Sequence, residues 1–372
     1  LLPSITALFT SFIISSGVAS VDTKTQPTLL TVAVFVLILA VSSASAFSGR
    51  SREISKLQSG ITSGLTISGN TILFGTETGD IYAIDKNNGR MIWGYRVSNS
   101  IKGTPAISGG NAIFADGEGV VTCLRISDGA FMWQSLPVTS DSVSSTMSDG
   151  GTVGGDMVFF TRDDGNLYAV NAKNGSTLWT FAGGIQRVRV APGYGENCVF
   201  LAGYDGKLDF ISPNNGKKFS GGGAGGAINT PVVANGNVYF SAWDGSVQSV
   251  KIKGVVPQWH VKVSDVVTTS PAVNNNLVVV GTGRGSVVAL NEKNGQILWN
   301  AELSSETGGE ISSNIIISGG LVFAANSSGT LYVLDANTGA VRFNTNLGLY
   351  PHIAVDGGTI YASGGSTLYV LQ

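Results

Sequence analysis

One sixteen-residue pattern, written seven times, constrains this chain more than any other feature. Its first copy is TGDIYAIDKNNGRMIW at residues 78–93, and close relatives are EGVVTCLRISDGAFMW, DGNLYAVNAKNGSTLW, RGSVVALNEKNGQILW and SGTLYVLDANTGAVRF. Counted from the leading Gly of each copy, position +14 holds Trp93, Trp133, Trp179, Ser220, Trp259, Trp299 and Phe343. Successive copies lie 39 to 46 residues apart, the size of one supersecondary unit.

Inside each copy the pattern alternates with period two, Ile81 and Ala83 against Tyr82 and Ile84, which predicts strand rather than helix. Pairs such as Asp205-Gly206 and Asp244-Gly245 separate two strands, where Gly supplies the positive φ of a tight hairpin. Asn88-Gly89, Asp128-Gly129 and Asn294-Gly295 mark the next hairpin along. An upstream segment of the TPAIS…NAIFA type adds two strands, so each unit is a four-stranded antiparallel meander. A ring of such meanders is a β-propeller. The final piece, GGTIYASGGSTLYVLQ, stops short of an outer strand, whereas REISKLQSGITSGLTIS at residues 52–68 has the missing alternation. The expectation is an all-β, eight-bladed propeller over residues 51–372, with residues near 54–67 completing the last blade and closing the ring. An apolar N-terminal segment, residues 1–50, precedes it.

A net charge of −2 and a charged fraction of 12% leave no basic footprint for nucleic acid. The two cysteines, Cys123 and Cys198, fit no metal or redox spacing and read as small buried residues. His260 and His352 are the only histidines, and neither has a partner at ligand spacing. The GTGRGS run beginning at Gly281 falls between strands, not before a helix, so it is no phosphate loop. No catalytic residue, metal site or cofactor is expected. The triplets at Asn174 and Asn326 permit N-glycosylation.

The template YAIDKNNGRMIW resembles the PQQ-type propeller repeat, found in quinoprotein dehydrogenases and in the propeller lipoprotein of the bacterial β-barrel assembly machinery. The likeness covers residues 52–372. It implies that Trp93, Trp133, Trp179, Trp259 and Trp299 dock each blade onto its neighbour. Ser220 departs from the pattern beside SGGGAGGA, so the fourth blade is expected to be the loosest. Quinoprotein enzymes of this kind carry adjacent cysteines under the quinone and a calcium held by acidic and amide side chains. This chain has no adjacent cysteines.

Up to Gly49 only Asp22 and Lys24 are charged, and LLTVAVFVLILAV begins at Leu29. With its flanks that stretch is long enough to cross a bilayer core of about 30 Å. It reads as a signal peptide ending at ASA, as a membrane hairpin turning at VDTKTQP, or as one helix bent near Pro27. An apolar segment headed by Leu1 rather than Met resembles a processed type IV pilin, and Ile5, where bacterial pilins have Glu, points to the archaeal kind. On that likeness Leu1, Leu2, Ile5, Phe9, Phe12, Phe35 and Leu37 form an assembly helix. The expected function is then a non-enzymatic filament subunit at the cell surface, polymerising with itself and membrane-anchored before assembly. The alternative is a membrane-anchored propeller scaffold for protein assembly, followed by a quinoprotein.

Overall fold

In the computed structural model the described residues are 50–135, 150–162, 165–182, 190–223, 229–263, 265–303 and 309–372. The alternating segments become strands and the glycine pairs turn them. In the first blade these strands are Thr66–Ser68, Thr71–Gly75, Asp80–Asp85 and Met91–Arg96, each hydrogen-bonded to the next. The described residues form eight such four-stranded antiparallel sheets. Neighbouring innermost strands touch from blade to blade, including Thr66–Ser68 of the first blade against Ile353–Asp356 of the eighth. The ring is closed.

Closure uses the start of the propeller as the last blade's outer strand. Ser51–Lys56 pairs antiparallel with Thr367–Leu371, Ser51 opposite Leu371 and Lys56 opposite Thr367. This corrects the expected range of 54–67. Ile61 instead bridges Thr76, and Thr66–Ser68 is the inner strand of the first blade. Alternation alone could not divide these residues between two sheets. The expected assembly helix, Leu1, Leu2, Ile5, Phe9, Phe12, Phe35 and Leu37 included, lies outside the described residues.

Blades are joined by the tryptophans of their fourth strands. The Trp93 indole Nε1 donates to the Ile126 carbonyl of the second blade at 2.7 Å, and Trp133 to Ala172 at 3.0 Å. Trp179 donates to Pro213, Trp259 to Glu292 and Trp299 to Ala336, always one blade onward. Each ring lies on the hairpin glycine that follows. A Cβ on Gly129 would stand 2.7 Å from the Trp93 ring, and that glycine holds φ at +72°, so no other residue suits both demands.

Within its own sheet each Trp faces a small residue: Ala83, Cys123, Ala169, Ser249 and Ala289 lie opposite Trp93, Trp133, Trp179, Trp259 and Trp299. Cys123 is therefore a packing residue. In the fourth blade the sizes are exchanged, for Phe210 lies opposite Ser220. The next blade changes with it, placing Val255 at φ +53° where the others have the docking glycine. Phe200, Phe210 and Val255 pack in one cluster. An aromatic ring has thus moved from the fourth strand to the third, and Ser220 borders an open groove with Asp209, Lys218 and Phe219.

Two outcomes test this arrangement. Trp133 is buried while Trp179 is half-buried, so Trp133→Ala should cost about 3–5 kcal/mol in urea denaturation and Trp179→Ala less. A chain starting at Ser51 should keep the full melting temperature, whereas one starting at Leu57 lacks the closing strand and should melt distinctly lower.

Candidate interaction faces and channel mouth

The meander gives the ring two unlike faces. The hairpins joining first to second strands and third to fourth strands project on one side, here the hairpin face. Hairpins joining second to third strands, together with the links between blades, project on the other, here the linker face. The central channel opens on the linker face where the inner strands begin.

A cavity of about 360 Å³ occupies that mouth, bordered by Thr104, Thr152, Thr230, Ser270 and Asn314 among prolines, glycines and aliphatic residues. No charged side chain lines it. Some of its hydroxyls are already engaged, Thr152 Oγ1 donating to the Pro192 carbonyl at 2.6 Å. In register, His352 takes in the eighth blade the place that Thr104, Thr230, Ser270 and Asn314 take in theirs. Its backbone is fixed by Ser363, whose amide donates to the His352 carbonyl at 2.9 Å. Burial pushes its imidazole down to about 4, so the ring is neutral at pH 7.

The mouth does not suit a calcium–quinone pair. Ca²⁺ takes six or more oxygen ligands that include carboxylates, and the lining holds none. Among the described residues no group of three His, Cys, Asp or Glu is placed to hold a metal. Cys123 and Cys198 are separate buried thiols, both pushed up to about 12 by desolvation. His260 stands exposed on the outer strand of the fifth blade, opposite Gln248. The GTGRGS run is the hairpin between Leu277–Gly281 and Ser286–Asn291. Arg284 within it reaches Asp265, whose carboxylate accepts the Arg284 amide at 2.8 Å.

Both sequons lie in hairpins, with opposite exposure. Asn174 is exposed at a hairpin tip, its side-chain oxygen accepting the Ser176 amide. Asn326 is 1% exposed and accepts the Thr330 amide at 2.8 Å, leaving no room for a glycan in the folded ring. Asparagine there serves the turn.

Sequence reading passed over two features of the ring. Arg162 is buried at the third blade, donates to the Gly119 carbonyl of the second at 3.0 Å, and lies 4.5 Å over the Tyr168 ring. On the linker face Tyr204 and Trp243 stand exposed on adjacent blades and meet edge to face at 5.4 Å. Trp243 is the sixth tryptophan and the only one outside the docking series. Its indole donates to Asn229 Oδ1 at 3.3 Å, which orients the ring. Leu349 and Tyr350, each more than 60% exposed, add apolar surface to this face.

A family model described as "Outer membrane protein assembly factor BamB" matches residues 40–182, 140–220 and 188–371. The chain belongs to this family. Outer membrane protein assembly factor BamB of Yersinia pestis is 25% identical over 291 residues, 73% of this chain and 71% of that protein. Several other family relatives are matched over 46% to 66% of their length. The crystal structure of BamB from Moraxella catarrhalis superposes with a TM-score of 0.73 at 19% identity, covering 87% of this chain and all of that one. A tetrathionate hydrolase of Acidithiobacillus ferrooxidans is 23% identical over 270 residues, 59% of this chain and 53% of its own length.

The His352 environment sets a pH dependence for this family member. Its folded value lies below the ordinary 6.5, so the unfolded chain binds the proton more tightly. The associated stability is complete above pH 6.5 and declines as pH falls toward 4. Urea midpoints measured from pH 7 to 5 should drop for the native chain, and His352→Asn should flatten that slope.

Proposed function

We propose that this chain is a non-enzymatic, membrane-anchored propeller scaffold that takes part in assembling outer membrane proteins. The observation that carries the reading is its membership of the assembly-factor family across nearly the whole propeller. The linker face supports it. Tyr204 and Trp243 are large, rigid and half in water, the residue types that dominate protein–protein hot spots. An uncharged mouth and dispersed, buried thiols offer no acid, base or nucleophile. The anchor is the apolar run from Leu29, with Phe35 and Leu37 inside it.

The filament expectation rests on residues 1–49 alone, and the family assignment favours the scaffold over it. Crosslinking in the membranes of cells that make the protein separates the two. The scaffold reading expects adducts with components of outer-membrane barrel assembly, reduced at least tenfold by Tyr204→Ala with Trp243→Ala at unchanged melting temperature. Adducts of the chain with itself alone, together with ordered filaments on the cells, would sink it. Turnover of tetrathionate by the purified chain would overturn the non-enzymatic part.

A further inference from the structure

The hairpin face carries charge and apolar surface in a pattern the linker face lacks. On blades four to six its hairpins present Lys217, Lys251, Lys253 and Lys293, all exposed. Glu196 is the exposed carboxylate among them. Glu292 is turned inward, accepting from Asn235 Nδ2 at 2.7 Å and from the Tyr239 hydroxyl at 2.9 Å. Lys218 is taken by the buried Asp209 at 2.6 Å. Beside these lysines the fourth strands open with exposed apolar residues: Phe219 at 58%, Val256 at 47%, Ile297 at 44% and Leu298 at 47%. On the linker face of the same blades Lys207 pairs with Asp205 and Arg284 with Asp265, and the exposed Lys262 and Glu302 are of opposite sign.

A third observation concerns the path of the chain. Ser51 lies opposite Leu371, at the end of the closing strand that borders the hairpin face. The polypeptide therefore enters the ring on this face, soon after the apolar run in sequence.

We propose that the hairpin face of blades four to six lies on an anionic lipid surface, lysines at the headgroups and Phe219, Val256, Ile297 and Leu298 in the interface. Lipid is the occupant that fits all three features together. Lysines near an anionic leaflet and apolar side chains beside them are the two attractions of interfacial binding. With the hairpin face on lipid, the Tyr204–Trp243 pair on the opposite face of the ring is left for soluble partners. The inference rests on the anchored reading above.

The test uses the full chain in vesicles of phosphatidylcholine with or without phosphatidylglycerol. Both native thiols are buried, so a fluorophore can be placed on Gln296→Cys at the hairpin face or on Glu118→Cys at the linker face. Quenchers on the lipid headgroups then report apposition. Expected is strong quenching of the Gln296→Cys label in phosphatidylglycerol vesicles, weakened by salt and by about fivefold for each lysine changed to Gln, with the Glu118→Cys label unaffected. A chain that floats with the vesicles but shows equal quenching at both labels overturns this inference alone. A chain that floats with neither composition overturns the anchored reading and the inference together. Protection of the Gln296→Cys label by polyglutamate, with no quenching by phosphatidylglycerol, would overturn it in favour of an acidic protein partner.

Discussion

The propeller depends on one repeated contact, an indole laid on the hairpin glycine of the next blade with its N–H on a nearby carbonyl. Five blades make it with Trp93, Trp133, Trp179, Trp259 and Trp299. The contact has three parts that cannot vary separately. A small residue must lie opposite the indole, a glycine must lie beneath it, and the hairpin must turn its carbonyl outward to accept. Burial of a large aromatic supplies the energy, and the hydrogen bond fixes the angle between sheets. Five such joints, with other packing at the remaining three, close the eight-bladed ring.

The fourth blade shows that the constraint is volume rather than identity. Ser220 gives up the indole, Phe210 opposite it supplies a ring, and Val255 across the interface fills the space above the lost glycine. Three departures from the repeat, two in one hairpin and one in the next blade, answer one another in space. At the seam the logic changes again. Phe343 replaces Trp in the seventh blade, and a strand from the start of the propeller completes the eighth. Lys86 of the first blade and Asp356 of the eighth also pair across the seam at 2.6 Å.

A ring of this design leaves its two faces free to differ, because the docking contacts sit between blades and not at the loop tips. The linker face carries the aromatic pair and the neutral mouth, and the hairpin face carries lysines over an apolar rim. Among the described residues no group of three His, Cys, Asp or Glu is placed to hold a metal on either face. The proposed role as a scaffold would use these surfaces, with the ring as a mount.

Strand periodicity, the glycine hairpins and the spacing of the tryptophans were legible in the sequence by itself. They depend on local rules, the period of a strand and the φ of a turn, and they determined the blade and the number of blades. The docking partners could be anticipated only as a class, since the carbonyl that each indole meets lies in the next blade. The tertiary structure decided the rest. It divided residues 51–68 between two sheets, because alternation does not say which neighbour a strand pairs with. It buried Asn326 and exposed Asn174, although both triplets read alike, because exposure belongs to the fold around a turn. It brought Tyr204 beside Trp243 across nearly one full repeat, and gathered lysines from three hairpins onto one face. Side chains of different blades become neighbours only when the ring closes, and no local rule contains that closure.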